Sequence, residues 1–242
     1  MNNGGATHLD LFSGIGGFAI AARWAGFRTV GFCEWEPYCQ KLLKQHWPGV
    51  PVHGDIRDLD GTKYKGTTII TGGFPCQPFS QAGKQRGKED DRYLWPEMLR
   101  VIREAGPRWV LGENVAGIVN MALDQVLVDL EAQGYTTGTV IVPACAVDAP
   151  QRRDRCWILA NSTSIRPSGQ GKSVEPLNPE KIKERKTVEP LNGCLSDFWA
   201  VEPNVGRVAH GIPSRVDRLK GLGNAIVPKV AYTIMEAMRQ ME

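Results

Sequence analysis

Short apolar runs alternate with stretches of helical periodicity over the first 160 residues. Six runs predict β-strands: THLDLF, TVGFCEW, TTIITGG, RWVLGENV, TTGTVIVPA and RCWILAN. Four segments between them predict helices: GGFAIAARWAGF, PYCQKLLKQHW, LWPEMLRVIREAG and MALDQVLVDLEAQG. Strands that alternate with helices are typical of a parallel sheet with crossover helices. The pattern therefore predicts a doubly wound, mostly parallel α/β sheet, with its active crevice beyond the carboxyl ends of the strands.

The apolar pattern stops near Asn161. From there NSTSIRPSGQGKSVEPLNPEKIKERKTVEPLNG is rich in Ser, Pro, Gly and Lys, which predicts a loop-rich insertion. Regular structure resumes with RVDRLKGLGNAIVPKVAYTIMEAMRQ, and four of its apolar residues fall on one helical face: Ile226, Val230, Ile234 and Met238. We therefore divide the chain into a catalytic and cofactor-binding domain (1–160), a short insertion (161–214) and a C-terminal segment (215–242) that returns to complete the first domain.

The composition is that of a globular protein, with 242 residues, 42% of them hydrophobic, and a formal net charge of +3. This mild basic excess permits a polyanionic partner without requiring one, since a solvated surface of mixed charge has the same sum. No apolar run reaches the roughly 20 residues of a membrane helix, and the start MNNGGATHLDLF lacks the features of a signal peptide. We therefore expect a cytoplasmic protein that makes no membrane contact.

Six cysteines are spread along the chain without a C-x-x-C pair. In so long a chain this spacing indicates neither a disulfide framework nor a zinc site. Cys33 and Cys39 flank EWEPY, but no histidine adjoins them, so a metal site there is disfavoured. We expect no bound metal and mostly buried thiols.

A glycine-rich turn stands between the first predicted strand and helix, in DLFSGIGGFAIAARWAGF. Gly14, Gly16 and Gly17 would let a ligand approach the backbone and the start of the helix closely. The turn departs from the dinucleotide fingerprint G-x-G-x-x-G, because Ala19 stands where the third glycine falls. It therefore predicts a nucleotide-type ligand bound through an altered glycine pattern.

Two further strand ends extend this prediction. Glu34 and Trp35 follow the turn by roughly 20 residues, where an acid would take ribose hydroxyls and an aromatic would stack on adenine. Taken singly, Glu34 would be a surface carboxylate and Trp35 a core aromatic. Asp55 and Ile56 follow the short extended segment VPVHG, a placement suited to an adenine amino group and an apolar ring contact. Together with the turn, these residues favour an adenosine-containing ligand.

The stretch GGFPCQPFSQAGKQRG places Cys76 directly after an apolar run and between two prolines. A structural cysteine would stand within the run instead. The prolines fix the backbone, and the loop that follows carries Lys84 and Arg86, cations of the kind that lower a thiol pKa and increase the thiolate fraction. The pattern therefore predicts that Cys76 is a nucleophile.

Three more polar patches lie at predicted element ends: Glu113-Asn114-Val115, QRRDR (151–155) and Gly223-Asn224-Ala225. One such patch alone would be a salt-bridging surface by default. In this order, with the glycine turn and the Cys76 loop, the set closely resembles the cytosine-5 DNA methyltransferases. The matching segments are DLFSGIGG, EWEPYC, GDI, GGFPCQPFSQAGKQRG, ENV, QRRDR and RLKGLGNAIVP, and the resemblance covers residues 8–160 and 215–235.

The resemblance implies a Rossmann-like class I methyltransferase fold, S-adenosylmethionine as the cofactor, and a flipped-out cytosine of DNA as the substrate. Cys76 would add to carbon 6 of the base, and Glu113 would hydrogen-bond ring nitrogen 3 and the exocyclic amine. Arg153 and Arg155 would hold the base carbonyl or adjoining phosphates. A sulfonium cofactor has no pyrophosphate, which accounts for the altered glycine pattern.

The same resemblance implies the remaining site residues and partners. The cofactor pocket would be lined by Phe12, Gly14, Gly16, Glu34, Trp35, Asp55, Ile56, Pro75, Leu94, Asn224 and Ala225. Phosphates that flank the target base would contact Ser80, Lys84 and Arg86. We expect a monomer without metal, with a cognate restriction endonuclease as a further partner.

The insertion 161–214 would hold the target-recognition region, and it is short for this family. With about 50 residues to reach base edges, and few bidentate contacts available, we expect a short or degenerate target site. Its cationic side chains would bind phosphates, and they are Lys172, Lys181, Lys183, Arg185 and Lys186. Two other functions stay open, an RNA (tRNA) cytosine-5 methyltransferase and a non-catalytic DNA-binding relative, although the presence of Cys76, Glu113 and Arg153 argues against the second.

Overall fold

The computed structural model describes residues 5–75, 93–162 and 215–241. Within these ranges there are seven strands: β1 (Thr7–Leu11), β2 (Arg28–Cys33), β3 (Val52–His53), β4 (Ile69–Gly72), β5 (Trp109–Val115), β6 (Tyr135–Pro143) and β7 (Asp154–Ser162). The α-helices in the same ranges are α1 (Gly17–Trp24), α2 (Pro37–His46), α3 (Trp95–Ala105), α4 (Leu123–Ala132), α5 (Arg215–Asn224) and α6 (Pro228–Gln240).

All seven strands belong to one sheet, in the order β3-β2-β1-β4-β5-β7-β6. β1 pairs in parallel with β2 and β4, β2 with β3, and β4 with β5. β7 is inserted antiparallel between β5 and β6. The chain therefore winds outward from β1 to β3 and then returns to the other side of β1, which confirms the doubly wound, mostly parallel sheet. Such a reversal of strand order opens a crevice at the carboxyl ends of the central strands.

Helices cover both faces of the sheet, because alternate strand residues point to opposite sides. On one face α1 and α6 bury Phe18 and Val230 against Leu111 and Trp157. The other face holds the larger apolar cluster, in which α3 and α4 pack on β4 and β5; its fully buried members include Met98, Ile102, Val126, Ile70 and Val110. These two cores fix the strand ends that carry the site.

The C-terminal segment differs in detail from its predicted helix. α5 ends at Asn224, and α6 starts afresh with Pro228 in its first turn, where a proline needs no hydrogen-bonded N–H. Ile226 lies between the two helices, so its predicted place on the helical face is wrong. The buried face of α6 comprises Val230, Ala231, Met235 and Met238, while Ile234 is partly buried.

Almost all of the predicted insertion (161–214) lies outside the described residues, as do the lysines and the arginine expected to contact phosphates there. The domain bounds therefore stay a prediction. Among the helices of the described ranges, none has the length and apolar character needed to cross a bilayer.

Candidate active site

A cleft of about 730 Å³ opens at the carboxyl ends of β1, β2, β4 and β5. Nine of the eleven residues predicted to bind the cofactor line it: Phe12, Gly14, Glu34, Trp35, Asp55, Ile56, Pro75, Leu94 and Asn224. Glu113, Arg153 and Arg155 line the same cleft. Sequence positions from 12 to 224 thus meet in one cavity.

The turn after β1 takes a backbone conformation that suits glycine. Gly14 and Gly16 have φ angles of 54° and 88°, and Phe12, which is not a glycine, has φ 53°. A left-handed non-glycine residue costs of order 1 kcal/mol or more and is typical of functional sites. Around Gly14 the space beyond the missing side chain is open, so a ligand can approach the backbone there.

Gly16 has a different reason to be glycine. A Cβ at this position would lie 2.6 Å from Cη2 of Trp47, the residue that follows α2. Gly16 also caps the start of α1. It lies outside the cleft lining, so its structural role is close packing of the turn on α2.

Glu34, which follows β2, is hydrogen-bonded to the glycine turn. Its carboxylate accepts hydrogen bonds from the backbone N–H groups of Gly14 and Glu36, each at 2.7 Å. The following side chain, Trp35, is 69% exposed and therefore is not a core aromatic. The indole is available to stack on a planar ligand in the cleft, whereas the Glu34 carboxylate organises the turn.

Asp55 and Ile56 form the wall next to Glu34. Asp55 caps a short 3-10 turn and accepts hydrogen bonds from the backbone N–H and the Nε of Arg57, at 3.0 and 3.1 Å. Burial alone would raise the pKa of Asp55, but the Arg57 backbone and guanidinium outweigh it and leave this pKa lowered. Ile56 is only 2% exposed and gives this wall an apolar surface.

Glu113 and Arg155 form an ion pair in the wall of the cleft. Arg155 Nε lies 2.9 Å from Oε1 of Glu113, and the two side chains are 22% and 10% exposed. The antiparallel register sets Val115 opposite Arg155, so Arg155 and Glu113 are diagonal neighbours on one side of the β5–β7 pair. Burial raises the pKa of Glu113, and the guanidinium groups of Arg155 and Arg153 offset only part of this effect. A carboxyl group with a raised pKa can act as an acid nearer neutral pH.

Asn114 is a site residue to which the sequence argument assigned no role. Its Nδ2 donates to the carbonyl of Phe74 at 2.9 Å, and its Oδ1 accepts from the N–H of Val115. Asn114 is 5% exposed, so the bond to Phe74 is shielded from water. It ties the end of β5 to the two residues that precede Cys76. The only sequence signal was its position between Glu113 and Val115.

Arg153 also lines the cleft, and its side chain binds backbone carbonyls. Its Nη2 donates to the carbonyls of Gly223 and Ala225, at 3.0 and 2.8 Å. Ala225 itself does not line the cleft, but its carbonyl forms one end of this contact. Of the two predicted arginines, Arg155 is the one paired with Glu113, and Arg153 binds the last turn of α5 and the residue that follows this helix.

Four predicted residues lie outside the described ranges: the nucleophile Cys76 and the phosphate contacts Ser80, Lys84 and Arg86. Pro75, directly before Cys76, is exposed at the cleft wall. Among the described cysteines, Cys33, Cys39 and Cys156 are buried and Cys145 is exposed. The same ranges contain no group of three or more His, Cys, Asp or Glu side chains suited to a metal ion.

Residues 6–205 match the family model described as "C-5 cytosine-specific DNA methylase". The Type II methyltransferase M.AquIA of Picosynechococcus is 30% identical over 239 residues, which cover 86% of this chain and 96% of that protein. The Type II methyltransferase M.NgoMIV of Neisseria gonorrhoeae is 41% identical over 115 residues, or 47% of this chain. The matched region covers only 37% of M.NgoMIV and 40% of M.Eco47II of Escherichia coli, so the chain spans about two fifths of several curated relatives that it matches.

Two solved structures share the fold. A putative DNA modification methyltransferase encoded within an Escherichia coli prophage has a TM-score of 0.56 and 26% identity, over 66% of this chain and 47% of that one. Dnmt2 of S. pombe has a TM-score of 0.57 and 23% identity, over 70% of this chain and 58% of that one. The second likeness bears on the fold alone.

Proposed function

Because this chain belongs to the C-5 cytosine-specific DNA methylase family, as its motifs predicted, we propose that it transfers a methyl group from S-adenosylmethionine to carbon 5 of cytosine in DNA. The observation that carries the proposal is the buried Glu113–Arg155 pair, which shares one cleft with the glycine turn and with Pro75, the neighbour of Cys76. The Type II relatives also favour a cognate restriction endonuclease as a partner.

The nucleotide end of the cleft fits an adenosine-containing sulfonium cofactor. The exposed indole of Trp35 offers a stacking face, Ile56 supplies apolar surface, and the open backbone at Gly14 permits close approach. The turn presents no complete dinucleotide fingerprint, which suits a ligand without a pyrophosphate. When bound, S-adenosylmethionine would supply the electrophilic methyl group.

The residues of this chain would activate the cytosine. Carbon 5 of the ring is a weak nucleophile, so the Cys76 thiolate would form a bond to carbon 6 and shift electron density to carbon 5. Glu113 would donate to ring nitrogen 3 as a carboxylic acid and stabilise the charge that develops there, and burial, which raises its pKa, lowers the cost of taking up that proton. After methylation, loss of the carbon 5 proton to a base would break the bond between carbon 6 and sulfur and release the thiolate. Carbon 6 is shielded in the base stack, so the target base must be flipped out.

The direct test is incubation with tritiated S-adenosylmethionine and separate DNA and RNA substrates, followed by analysis of the methylated base. We expect label in 5-methylcytosine of DNA. Label in RNA alone would show that the RNA methyltransferase is the correct function, and cofactor binding without label in either polymer would favour the non-catalytic relative.

Replacement of Cys76 by serine should abolish methyl transfer and leave cofactor affinity within a few-fold, because covalent activation is lost and no essential cofactor contact is removed. Cys145→Ser is the matched control, since Cys145 is an exposed free thiol outside the cleft lining. On DNA that contains 5-fluorocytosine, the wild-type protein should form a stable adduct, because fluorine blocks the final elimination. A peptide other than the one holding Cys76 in that adduct would refute the mechanism.

Glu113→Gln should lower the rate of transfer strongly while DNA affinity changes little, because the proton that Glu113 would donate matters most in the transition state. The measurement is single-turnover transfer together with DNA binding by fluorescence anisotropy. Equal losses in rate and affinity would instead make Glu113 a uniform substrate-binding group.

A further inference from the structure

The C-terminal end of α5 carries Asn224 into the cleft, and Gly223 and Asn224 are both exposed there. A side chain 70 residues away in the sequence, that of Arg153, hydrogen-bonds this backbone. Arg153 Nη2 donates to the carbonyls of Gly223 and Ala225, at 3.0 and 2.8 Å, which are the carbonyls on either side of Asn224. The two bonds therefore hold the backbone before and after this cleft residue.

Arg153 has a strained backbone and an incompletely hydrogen-bonded side chain. Its backbone φ is 39°, in the left-handed region that non-glycine residues rarely adopt. Its Nε is buried without a hydrogen-bond partner. Burial and the neighbouring charge of Arg155 lower its pKa, against a smaller opposing influence of Glu113. Strain and incomplete hydrogen bonding of this kind persist where the surrounding structure requires the conformation.

The other contacts of the segment do not replace this one. Gly17 lies against Ile226, which anchors the stretch just after Asn224 through packing alone. Lys229 and Asp148 form an ion pair at 2.7 Å, but their side chains are 57% and 64% exposed, and exposed pairs contribute little. Without Arg153 the helix α6 would stay packed on the sheet, while the carbonyls of Gly223 and Ala225 would lose the side-chain donor that binds them.

We infer that Arg153 is a positioning residue for the cofactor: it fixes the Gly223 and Ala225 carbonyls and thereby holds Asn224, a residue of the cleft lining, in place for the cofactor. This assignment, which rests on the proposed function, differs from the expectation that Arg153 holds the base carbonyl or adjoining phosphates. Arg155 alone of the two arginines is bonded to Glu113. Within the QRRDR segment, Arg155 thus binds the Glu113 carboxylate, whereas Arg153 binds backbone carbonyls next to Asn224.

The test measures the affinity of Arg153→Ala, Asn224→Ala and the double variant for S-adenosylhomocysteine by calorimetry, without any turnover. Each single variant should bind S-adenosylhomocysteine about tenfold more weakly than the wild-type protein. The double variant should lose no more affinity than the single variant that binds more weakly, because the effects of residues that act through one another are not additive. Arg153→Lys, which keeps one cationic donor, should recover part of the loss. Arg152→Ala is the matched control, since Arg152 is exposed and bonded to Asp154.

Affinity for DNA and the thermal midpoint are measured on the same variants, and both should stay close to those of the wild-type protein. Unchanged S-adenosylhomocysteine affinity in Arg153→Ala, or losses that multiply in the double variant, would overturn the inference. If Arg153→Ala lost affinity for DNA but not for S-adenosylhomocysteine, Arg153 would instead be a contact for the base or a phosphate. If Arg153→Ala does not fold, the same comparison is made with Arg153→Lys, Asn224→Ala and their double variant. Losses of S-adenosylhomocysteine affinity that multiply in this double variant would also overturn the inference. Wild-type protein that does not bind S-adenosylhomocysteine would overturn the proposed function itself.

Discussion

Replacement of Arg155 by methionine should destabilise the protein by about 3 kcal/mol at pH 7, because it leaves the Glu113 carboxylate buried without the cation that is hydrogen-bonded to it. The two side chains are 22% and 10% exposed, and Arg155 Nε lies 2.9 Å from Glu113 Oε1. Methionine retains most of the apolar volume of arginine, so the change removes charge and hydrogen bonding more than packing.

Two limits set the size of the loss of stability in Arg155→Met. Opposite charges about 4 Å apart at an effective dielectric constant near 20 attract by about 4 kcal/mol, which sets the size of the lost interaction. The stranded carboxylate can also take up a proton, which at pH 7 costs about 3.7 kcal/mol for a group with an ordinary pKa near 4.3. Protonation therefore caps the loss at pH 7, and at pH 5 it caps the loss at about 1 kcal/mol.

The sign of the pH dependence follows from the same pKa. Burial raises the pKa of Glu113 in the folded protein, and removal of Arg155 should raise it further. A carboxyl group whose folded pKa lies above its unfolded value loses stability as pH rises between the two values. The Arg155→Met variant should therefore come closer to wild-type stability at pH 5 than at pH 7.

Urea unfolding at pH 5 and pH 7, followed by tryptophan fluorescence, measures both quantities. The control is the double variant Glu113→Gln with Arg155→Met, which should be more stable than Arg155→Met at pH 7 because it strands no charge. The reasoning would be refuted if Arg155→Met were as stable as the wild-type protein at pH 7. It would also be refuted if the variant lost the same free energy of unfolding at pH 5 and pH 7.

Two further predictions concern stability. His8 is fully buried between the hydroxyls of Thr29 and Thr71, and burial lowers its pKa from 6.5 to about 3. Stability should therefore fall as pH drops from 6.5 towards 3, and His8→Gln should lack this slope of at most about 1.4 kcal/mol per pH unit in urea unfolding; equal slopes would contradict the assignment. Gly17→Ala should cost about 1 to 3 kcal/mol, because its Cβ would lie 2.7 Å from Ile226 Cγ1. Thermal unfolding should show this loss for Gly17→Ala but not for Gly138→Ala, whose Cβ meets open space.

Local pattern sufficed for most elements of the fold. The strand and helix periods in the first 160 residues predicted the doubly wound sheet, and the predicted segments correspond to β1 through β7 except for the two-residue β3, which was expected only as an extended segment. The pattern failed at the C-terminal helix, where the apolar spacing through Ile226 continued across a break that Pro228 introduces. The antiparallel insertion of β7 between β5 and β6 also had no local signal, because strand order depends on packing between distant segments.

The sequence alone determined which kinds of residue surround the cleft, because a glycine turn, an ENV triplet and a paired arginine segment are local patterns with characteristic chemistry. Tertiary structure decided what those residues contact. Arg155 reaches Glu113 across the β5–β7 register, Arg153 reaches carbonyls 70 and 72 residues further on, and Asn114 holds Phe74, 40 residues before it. These partners are set by the burial of two apolar cores on either side of the sheet, a cooperative property of the whole domain that no single stretch of sequence contains.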